Sequence, residues 1–366
     1  MKKYSFIFVL LLSVTSILNL NSIVISDSLE TTQISTSSRY IYSLKAYKNT
    51  VAWHDTCNIF YWNGINILQV TNNDSECSSS LIGNISLYNG KIAWNDYYGV
   101  DSDYEIYFWD GNNISQISNN DLNDYSPSLY KETIAWSCSD GNDTEICYWD
   151  GASVKQITDN NYDDNFVSLY KGQIAWHSNK RELVENTDVL VDSQIFFWDG
   201  EKIIKITDSN ERSEFNSYPS LFDGKIAWQR YTTTQLRGSN HYHSRLCFWD
   251  GNQINEIATY NSTQDLGPHL YKNNIIWIDH DGNDYEIYYW DGYNKFQITD
   301  NIIDDWAVCY HTDIIAWKRE INNGLEREIV YANISNIFPN NSQESNAESS
   351  NDESGCFIKS LIHTNF

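Results

Sequence analysis

Between Ser128 and Thr158 the chain reads SLYKETIAWSCSDGNDTEICYWDGASVKQIT. Short apolar runs alternate with polar or glycine-bearing pairs, which predicts four strands: Ser128–Tyr130, Thr133–Ser137, Glu145–Trp149 and Lys155–Thr158. Turns fall at Lys131-Glu132, at Asp140-Gly141-Asn142-Asp143 and at Asp150-Gly151, where Asp, Asn and Gly supply turn conformations. The strands are rich in Ile, Val, Tyr, Trp and Thr, side chains that suit a pleated, half-buried surface. Nearly the same text returns from His269 to Thr299, as HLYKNNIIWIDHDGNDYEIYYWDGYNKFQIT. Helical periodicity is absent.

The tryptophan of the Ile-Ala-Trp-like triplet recurs as Trp53, Trp94, Trp136, Trp176, Trp228, Trp277 and Trp317, at intervals of 41, 42, 40, 52, 49 and 40 residues. A second series, Trp62, Trp109, Trp149, Trp198, Trp249 and Trp290, precedes Asp-Gly or Asn-Gly each time. Four antiparallel strands per ~40 residues, repeated, build a β-propeller blade. The pattern therefore predicts an all-β chain folded as a single seven-bladed β-propeller of four-stranded antiparallel blades over residues 31–338. The repeated Trp is expected to be inter-blade core. Burying one such ring removes ~150–250 Å² from water, a gross gain of roughly 4–6 kcal/mol at ~25 cal/mol per Å².

Thr31-Thr32-Gln33-Ile34-Ser35 matches the fourth-strand texts Gln116-Ile117-Ser118 and Gln156-Ile157-Thr158, whereas the seventh unit offers only Asn333–Phe338 after Glu328–Tyr331. The N-terminal piece is thus expected to supply the outer strand of the last blade and close the ring. Three connections are longer than the rest: His177 to Ser193, Gln229 to Ser244 and, moderately, Lys318 to Arg327. Long loops on a rigid scaffold are where function usually sits.

Charge and termini refine the picture. Met1-Lys2-Lys3 precedes an apolar run from Tyr4 to Leu20, broken by Ser13, Thr15, Ser16 and Asn19. This predicts a secretory signal over residues 1–27, with an uncleaved anchor as the alternative. Lys plus Arg number 24 against 49 Asp plus Glu, a formal charge of −25. That balance argues against nucleic acid and anionic membrane surfaces, because phosphate contacts need clustered Lys and Arg. No second apolar stretch is long enough to span a bilayer, so a secreted, cell-surface or periplasmic monomer is expected. Residues 339–366 form an Asn/Ser/Glu-rich tail expected to be disordered, ending in Gly355-Cys356-Phe357-Ile358, where Cys356 suits sorting or attachment.

Of the seven cysteines, Cys138 and Cys147 flank one hairpin and suit a disulfide. Cys57 and Cys77 are a weaker pair, and Cys247 suits a small buried residue. The odd number leaves at least one unpaired or paired between chains, and no Cys-x-x-Cys supports zinc or redox chemistry.

The acidic pairs, Tyr218-Pro219-Ser220, Asp223-Gly224-Lys225-Ile226-Ala227-Trp228, Asp281-Gly282, Glu286-Ile287-Tyr288 and Gln297-Ile298-Thr299 together resemble the TolB-like propeller repeat. The Trp-Asp dipeptides also resemble WD40 repeats, but the Gly-His partner is missing. TolB-like propellers are often six-bladed, and seven units are counted here. The resemblance implies a scaffold that recognises proteins, peptides or sugars, and no catalytic residues.

In a four-stranded meander, second-to-third loops and blade-to-blade crossovers emerge on one face. That face collects Asp140, Asp143, Asp159, Asp281, Asp284, Asp300 and many more acids. The long connections add Arg181, Arg230, Arg237, His241 and His243, expected to face a protein or polysaccharide ligand. No cofactor is expected, calcium excepted. Asp279-x-Asp281-Gly282-x-Asp284-x-Glu286 offers the oxygen donors and glycine turn that calcium loops use, although a plain hairpin turn uses the same residues. His241-x-His243 lacks a third ligand nearby. No Gly-x-Ser-x-Gly elbow is present. The expected function is a non-catalytic binding or surface scaffold acting through its acidic loop face; the alternative is a glycosidase or lyase using carboxylates at the central channel.

Overall fold

The computed structural model describes residues 23–24, 29–34, 41–73, 82–97, 103–184, 187–208, 214–236, 239–260, 267–312, 314–321, 326–335 and 337–338. The leader apart from Ile23–Val24, Cys77, Arg237 and the 339–366 tail with Cys356 lie outside them. Strands dominate throughout. Unit 3 shows the pattern: Asp124–Tyr130, Thr133–Ser139, Thr144–Trp149 and Val154–Gln156 form an antiparallel meander in that order. Equivalent units occupy 44–69, 82–116, 163–205, 214–260, 269–297 and 305–333, seven among the described residues. We number them 1 to 7 and call their strands inner, second, third and outer.

Unit 7 takes its outer strand from the N-terminal region. Thr31–Gln33 pairs antiparallel with Glu326–Asn333, Thr31 opposite Ala332 and Gln33 opposite Val330. The Ile34 N–H continues the ladder to the Ile329 carbonyl at 2.9 Å. Ile23–Val24, inside the segment read as a leader, adds in parallel to Phe296 and Gln297 of unit 6.

The core lies in the seams between consecutive units. Six of the seven repeat Trp rings are 0–1% exposed and Trp53 is 5% exposed, as core aromatics should be. Trp136 packs with Ala93, Ile106 and Phe108 of unit 2, and Trp228 with Ala175, Ile195 and Phe197 of unit 4. Trp53 packs with Cys309, Ala316 and Ile329 of unit 7, which joins the last unit to the first. The second Trp series fills the same seams edge-on: Trp109 on Tyr61 at 5.6 Å, Trp198 on Tyr148 at 5.8 Å, and Trp62 on Tyr331 at 5.2 Å. Such edge-to-face pairs add ~0.5–1.5 kcal/mol beyond the area they bury.

At the far ends of the inner strands, aromatic side chains form a closed circuit around the axis. Tyr47–Tyr88, Tyr88–Tyr130, Tyr130–Tyr170, Tyr170–Phe222 and Phe222–Tyr271 have ring centroids 4.3–5.0 Å apart. His311 completes it, 4.6 Å from Tyr271 and 4.0 Å from Tyr47.

Three expectations are corrected. The inner strand of unit 3 begins at Asp124 rather than Ser128, because a bulge between Tyr125 and Ser128 lets the ladder continue. The outer strand of unit 3 is Val154–Gln156, shifted toward its turn. The connections of units 4 and 5 are not open loops. Gln173–Val184 pairs with Thr187–Trp198, and Lys225–Leu236 with Ser239–Trp249, as hairpins that extend the second and third strands. Pairing satisfies the backbone groups that an open loop would leave to water.

Candidate functional site: the channel mouth and its acidic rim

The inner strands meet the loop face through a repeated irregularity. Register shifts interrupt them in units 2, 3, 4, 5 and 7. At the shift Ser126, Phe166, Tyr218 and Ala307 have φ of 50–56°, in the left-handed region that non-glycine residues avoid. Unit 6 places Gly267 at that position and unit 2 carries Gly83 one residue earlier, where a Cβ would come within 2.8 Å of Tyr218 and 2.2 Å of Asn95. Three of the four prolines, Pro127, Pro219 and Pro268, follow these positions; a bulge tolerates a residue with no N–H to give the ladder. Bulges re-aim side chains, and strained backbone gathers at functional sites.

Two cavities open beside this ring. One of about 370 Å³ is lined by Asn84, Ser126, Phe166, Tyr218, Gly267 and neighbouring inner-strand residues. The other, about 570 Å³, shares Lys45, Asn84, Gly267 and His269 with it and adds Tyr42, Trp306, Lys318, Glu320 and Arg327. Below the mouth a serine seam joins the units: Ser86, Ser128, Ser168 and Ser220 each accept the N–H of Leu129, Leu169, Leu221 and Leu270 of the next unit at 2.9 Å. At the same position units 6, 7 and 1 carry His269, Cys309 and Lys45 instead.

The lining is cationic, in a protein of formal charge −25. Lys318 donates to the Ile41 and Tyr42 carbonyls at 3.2 and 3.1 Å, and burial with Arg327 nearby lowers its amine to about 8. Burial lowers the Lys45 amine, and Lys45 makes no ion pair among the described residues. Desolvation and the nearby Lys45 depress the partly buried His269 to about 3, so it stays neutral. Glu320 is the one carboxylate lining either cavity, and Arg327 holds it at 3.0 Å.

The residues expected to face a partner divide. Arg181 stands on the unit 4 hairpin, 3.4 Å from Asp163 and half-exposed. Arg230 is not available: it lies between Glu214 at 3.1 Å and Glu256 at 3.7 Å, donates to Asn216 Oδ1 at 3.1 Å, and covers the Trp228 ring. It stands on a paired strand, so its charge is used to neutralise two acids. Backbone pairing places His241 opposite Thr234 and the exposed His243 opposite Thr232. Arg237 lies outside the described residues.

The set Asp279, Asp281, Asp284 and Glu286 is brought together only in part. Asp279 is buried on the second strand and pairs with Lys295 at 3.6 Å. Asp281 turns the hairpin, its Oδ1 accepting the Asn283 and Asp284 N–H groups at 2.7 and 3.3 Å. The partner that joins Asp281 and Glu286 is Asp300, from the crossover: their three ligand oxygens lie within 4.8 Å of one another. Asp140, Glu145 and Asp159 form the same cluster in unit 3. The repeated Thr158-Asp159-Asn160 and Thr299-Asp300-Asn301 carried this signal in the sequence. Each buried glutamate is braced by the crossover: Glu145 accepts Asn160 N–H at 2.5 Å and Glu286 accepts Asn301 N–H at 2.6 Å. Burial and then neighbouring carboxylates raise Asp143 to about 6; burial raises Glu286 to about 7.

No family model matches the sequence, and no curated sequence does. Solved structures do match. The β-propeller domain of the Trilobed protease from Pyrococcus furiosus, described as having an open velcro topology, aligns at TM-score 0.57 and 14% identity over 80% of this chain and 95% of that one. The Pyrococcus horikoshii acylaminoacyl peptidase aligns at TM-score 0.54 and 11% identity over 77% of this chain, which spans about half (49%) of that enzyme. TolB from Acinetobacter baumannii aligns at TM-score 0.41 and 15% identity over 80% of this chain and 62% of that one, too loosely to add to the argument. At these identities the likeness is one of fold: the chain is a β-propeller, in agreement with the resemblance read from its repeats.

Proposed function

We propose that this propeller is a non-catalytic binding module that takes a carboxylate-bearing segment of a protein or polysaccharide at its channel mouth. The observation that carries this reading is the mouth itself: a ring of bulged inner strands turns Phe166 and Tyr218 toward contiguous cavities whose wall includes the unpaired amine of Lys45. Aromatic faces and one desolvated cation suit a planar or apolar body with an anionic group. The acidic rim around the mouth repels other polyanions and favours a ligand whose single carboxylate reaches Lys45. Export to an oxidising compartment is supported by the Cys138–Cys147 disulfide, Cα–Cα 5.8 Å, and by Cys57, which is also disulfide-bonded. No helix among the described residues is long and apolar enough to cross a membrane.

The test is retention of oligosaccharides and peptides that bear a single carboxylate, and of their neutral counterparts, on the immobilised chain, with product analysis of the eluate. Carboxylate-bearing ligands should be retained intact, and Lys45→Gln should weaken retention about tenfold or more, the loss of one charge-assisted bond of ~1.5–3 kcal/mol. Lys48→Gln, on the opposite face, should change nothing. Shortened oligosaccharide or peptide in the eluate, or retention unmoved by Lys45→Gln, refutes the proposal.

A further inference from the structure

We infer that units 3 and 6 each hold a calcium ion, clamped between the turn joining their second and third strands and the crossover into the next unit. In unit 6 the donors are Asp281, Glu286 and Asp300, whose oxygens lie within 4.8 Å of one another. Two oxygens bound to one calcium ion at ~2.4 Å can be no farther apart than about twice that distance. Proximity of acids alone proves little, since exposed acidic turns are common. A second, independent feature points to a cation.

Asp284 is 7% exposed, and neither of its carboxylate oxygens has a hydrogen-bond partner. The charges that act most strongly on it are the carboxylates of Asp281, Asp304 and Asp305, which His280 opposes in part, and its own charge reaches Glu286. A buried carboxylate with neither donor nor cation is the arrangement folded proteins avoid most strongly. One divalent ion among these four residues supplies the missing partner and cancels the mutual repulsion.

Unit 3 repeats the arrangement. Asp140, Glu145 and Asp159 form the cluster, and Asp143, only partly buried as a residue, keeps one buried oxygen, Oδ1, without a partner among the described residues. The nearest charges to Asp143 are Glu145, Asp140, Asp163 and Asp159. Unit 2 has the equivalent buried acids, Glu105 and an Asp103 whose Oδ2 also lacks a partner, but carries Asn119 where the other two have Asp159 and Asp300; no three-carboxylate cluster forms there among the described residues, and it is the cluster that sets units 3 and 6 apart. An all-oxygen donor set from separate stretches of chain suits calcium, which accepts irregular geometry, better than magnesium, which demands a near-ideal octahedron. Each ion would fasten one hairpin turn to the chain entering the next unit, tightening the loop-face rim at the 3–4 and 6–7 seams. The inference does not depend on the ligand proposed for the channel.

The experiment uses the full chain after chelator treatment, with calcium titrated by calorimetry and terbium luminescence sensitised through nearby Tyr285 and Trp306. Two ions should bind per chain, and melting should shift upward with calcium far more than with magnesium. Asp284→Asn should bind one ion fewer, Asp143→Asn likewise, and the double variant none. Without calcium, Asp284→Asn should melt above the parent chain, because it removes an unpartnered buried charge; with calcium the order should reverse. No heat and no melting shift in the parent chain would overturn the inference. So would undiminished stoichiometry in both variants, or an Asp284→Asn variant that melts lower without calcium, which would mark Asp284 as a structural acceptor only.

Discussion

Trp277 and Trp317 occupy equivalent places in adjacent units, and both are 0% exposed. They differ at one atom. Trp317 Nε1 donates to Asp305 Oδ1 at 2.8 Å, whereas Trp277 Nε1 is buried with no partner among the described residues. Replacing either by Phe removes a similar volume, for which ~1–3 kcal/mol is reasonable. In Trp317→Phe the Asp305 carboxyl also loses a donor. Asp305 keeps Arg319 at 3.0 Å and Asn301 at 3.0 Å, so the added loss should fall at the low end of the ~1.5–3 kcal/mol range for charged acceptors. In Trp277→Phe an unsatisfied N–H disappears, which returns part of its ~1–3 kcal/mol desolvation cost. Trp317→Phe should therefore be less stable than Trp277→Phe by about 2–4 kcal/mol. Urea unfolding reads this directly as a difference in midpoint at unchanged slope. A cycle with Asp305→Asn should recover a coupling of roughly 1.5–2 kcal/mol. Equal losses for the two variants, within ~0.5 kcal/mol, would refute the claim that the indole–carboxyl bond helps hold the seam.

Two further outcomes are expected. Asp96 is 5% exposed, and burial raises it from the ordinary carboxylate range to about 6 despite the Trp94 indole donor. Between pH ~4 and ~6 the folded state keeps a proton that the unfolded chain releases, so the parent loses stability as pH rises through that window. Asp96→Asn should lack this loss and gain up to about 3 kcal/mol over the parent by pH 7, at ~1.4 kcal/mol per unit; melting curves at pH 4 and pH 7 with parallel profiles would contradict the assignment. Deleting residues 1–34 removes the outer strand of unit 7 and the Ile34 contact with the unit 1–unit 7 seam. The three-residue ladder and Ile34 should account for a loss of about 2–4 kcal/mol, with the Leu29 contact and the Ile23–Val24 pairing to unit 6 lost besides. It should also aggregate through the bared Glu326–Asn333 edge, and unchanged melting with unchanged light scattering would show that the ring closes without this strand.

What the sequence determined by itself was everything that repeats. Period-2 alternation, Asp-Gly turns and a Trp in every unit specify strands, hairpins and seams locally, because each unit can bury its faces only against a copy of itself. Even the exchange of Thr31–Gln33 into unit 7 was legible, since that fragment carries the text of an outer strand. The turn half of the unit 6 acidic cluster, Asp281 and Glu286, was legible too. What only the tertiary structure decided was which residues meet across separate stretches of chain. Asp300 joins Asp281 and Glu286 because the crossover folds back over the hairpin, while Asp279, two residues before Asp281, stays on the paired second strand and meets Lys295. Arg230 reads as a free loop cation until strand pairing carries it between Glu214 and Glu256. The cationic channel is the clearest case: Lys45, His269 and Lys318 are scattered singly along an acidic chain, and only the folded arrangement brings them to one cavity wall.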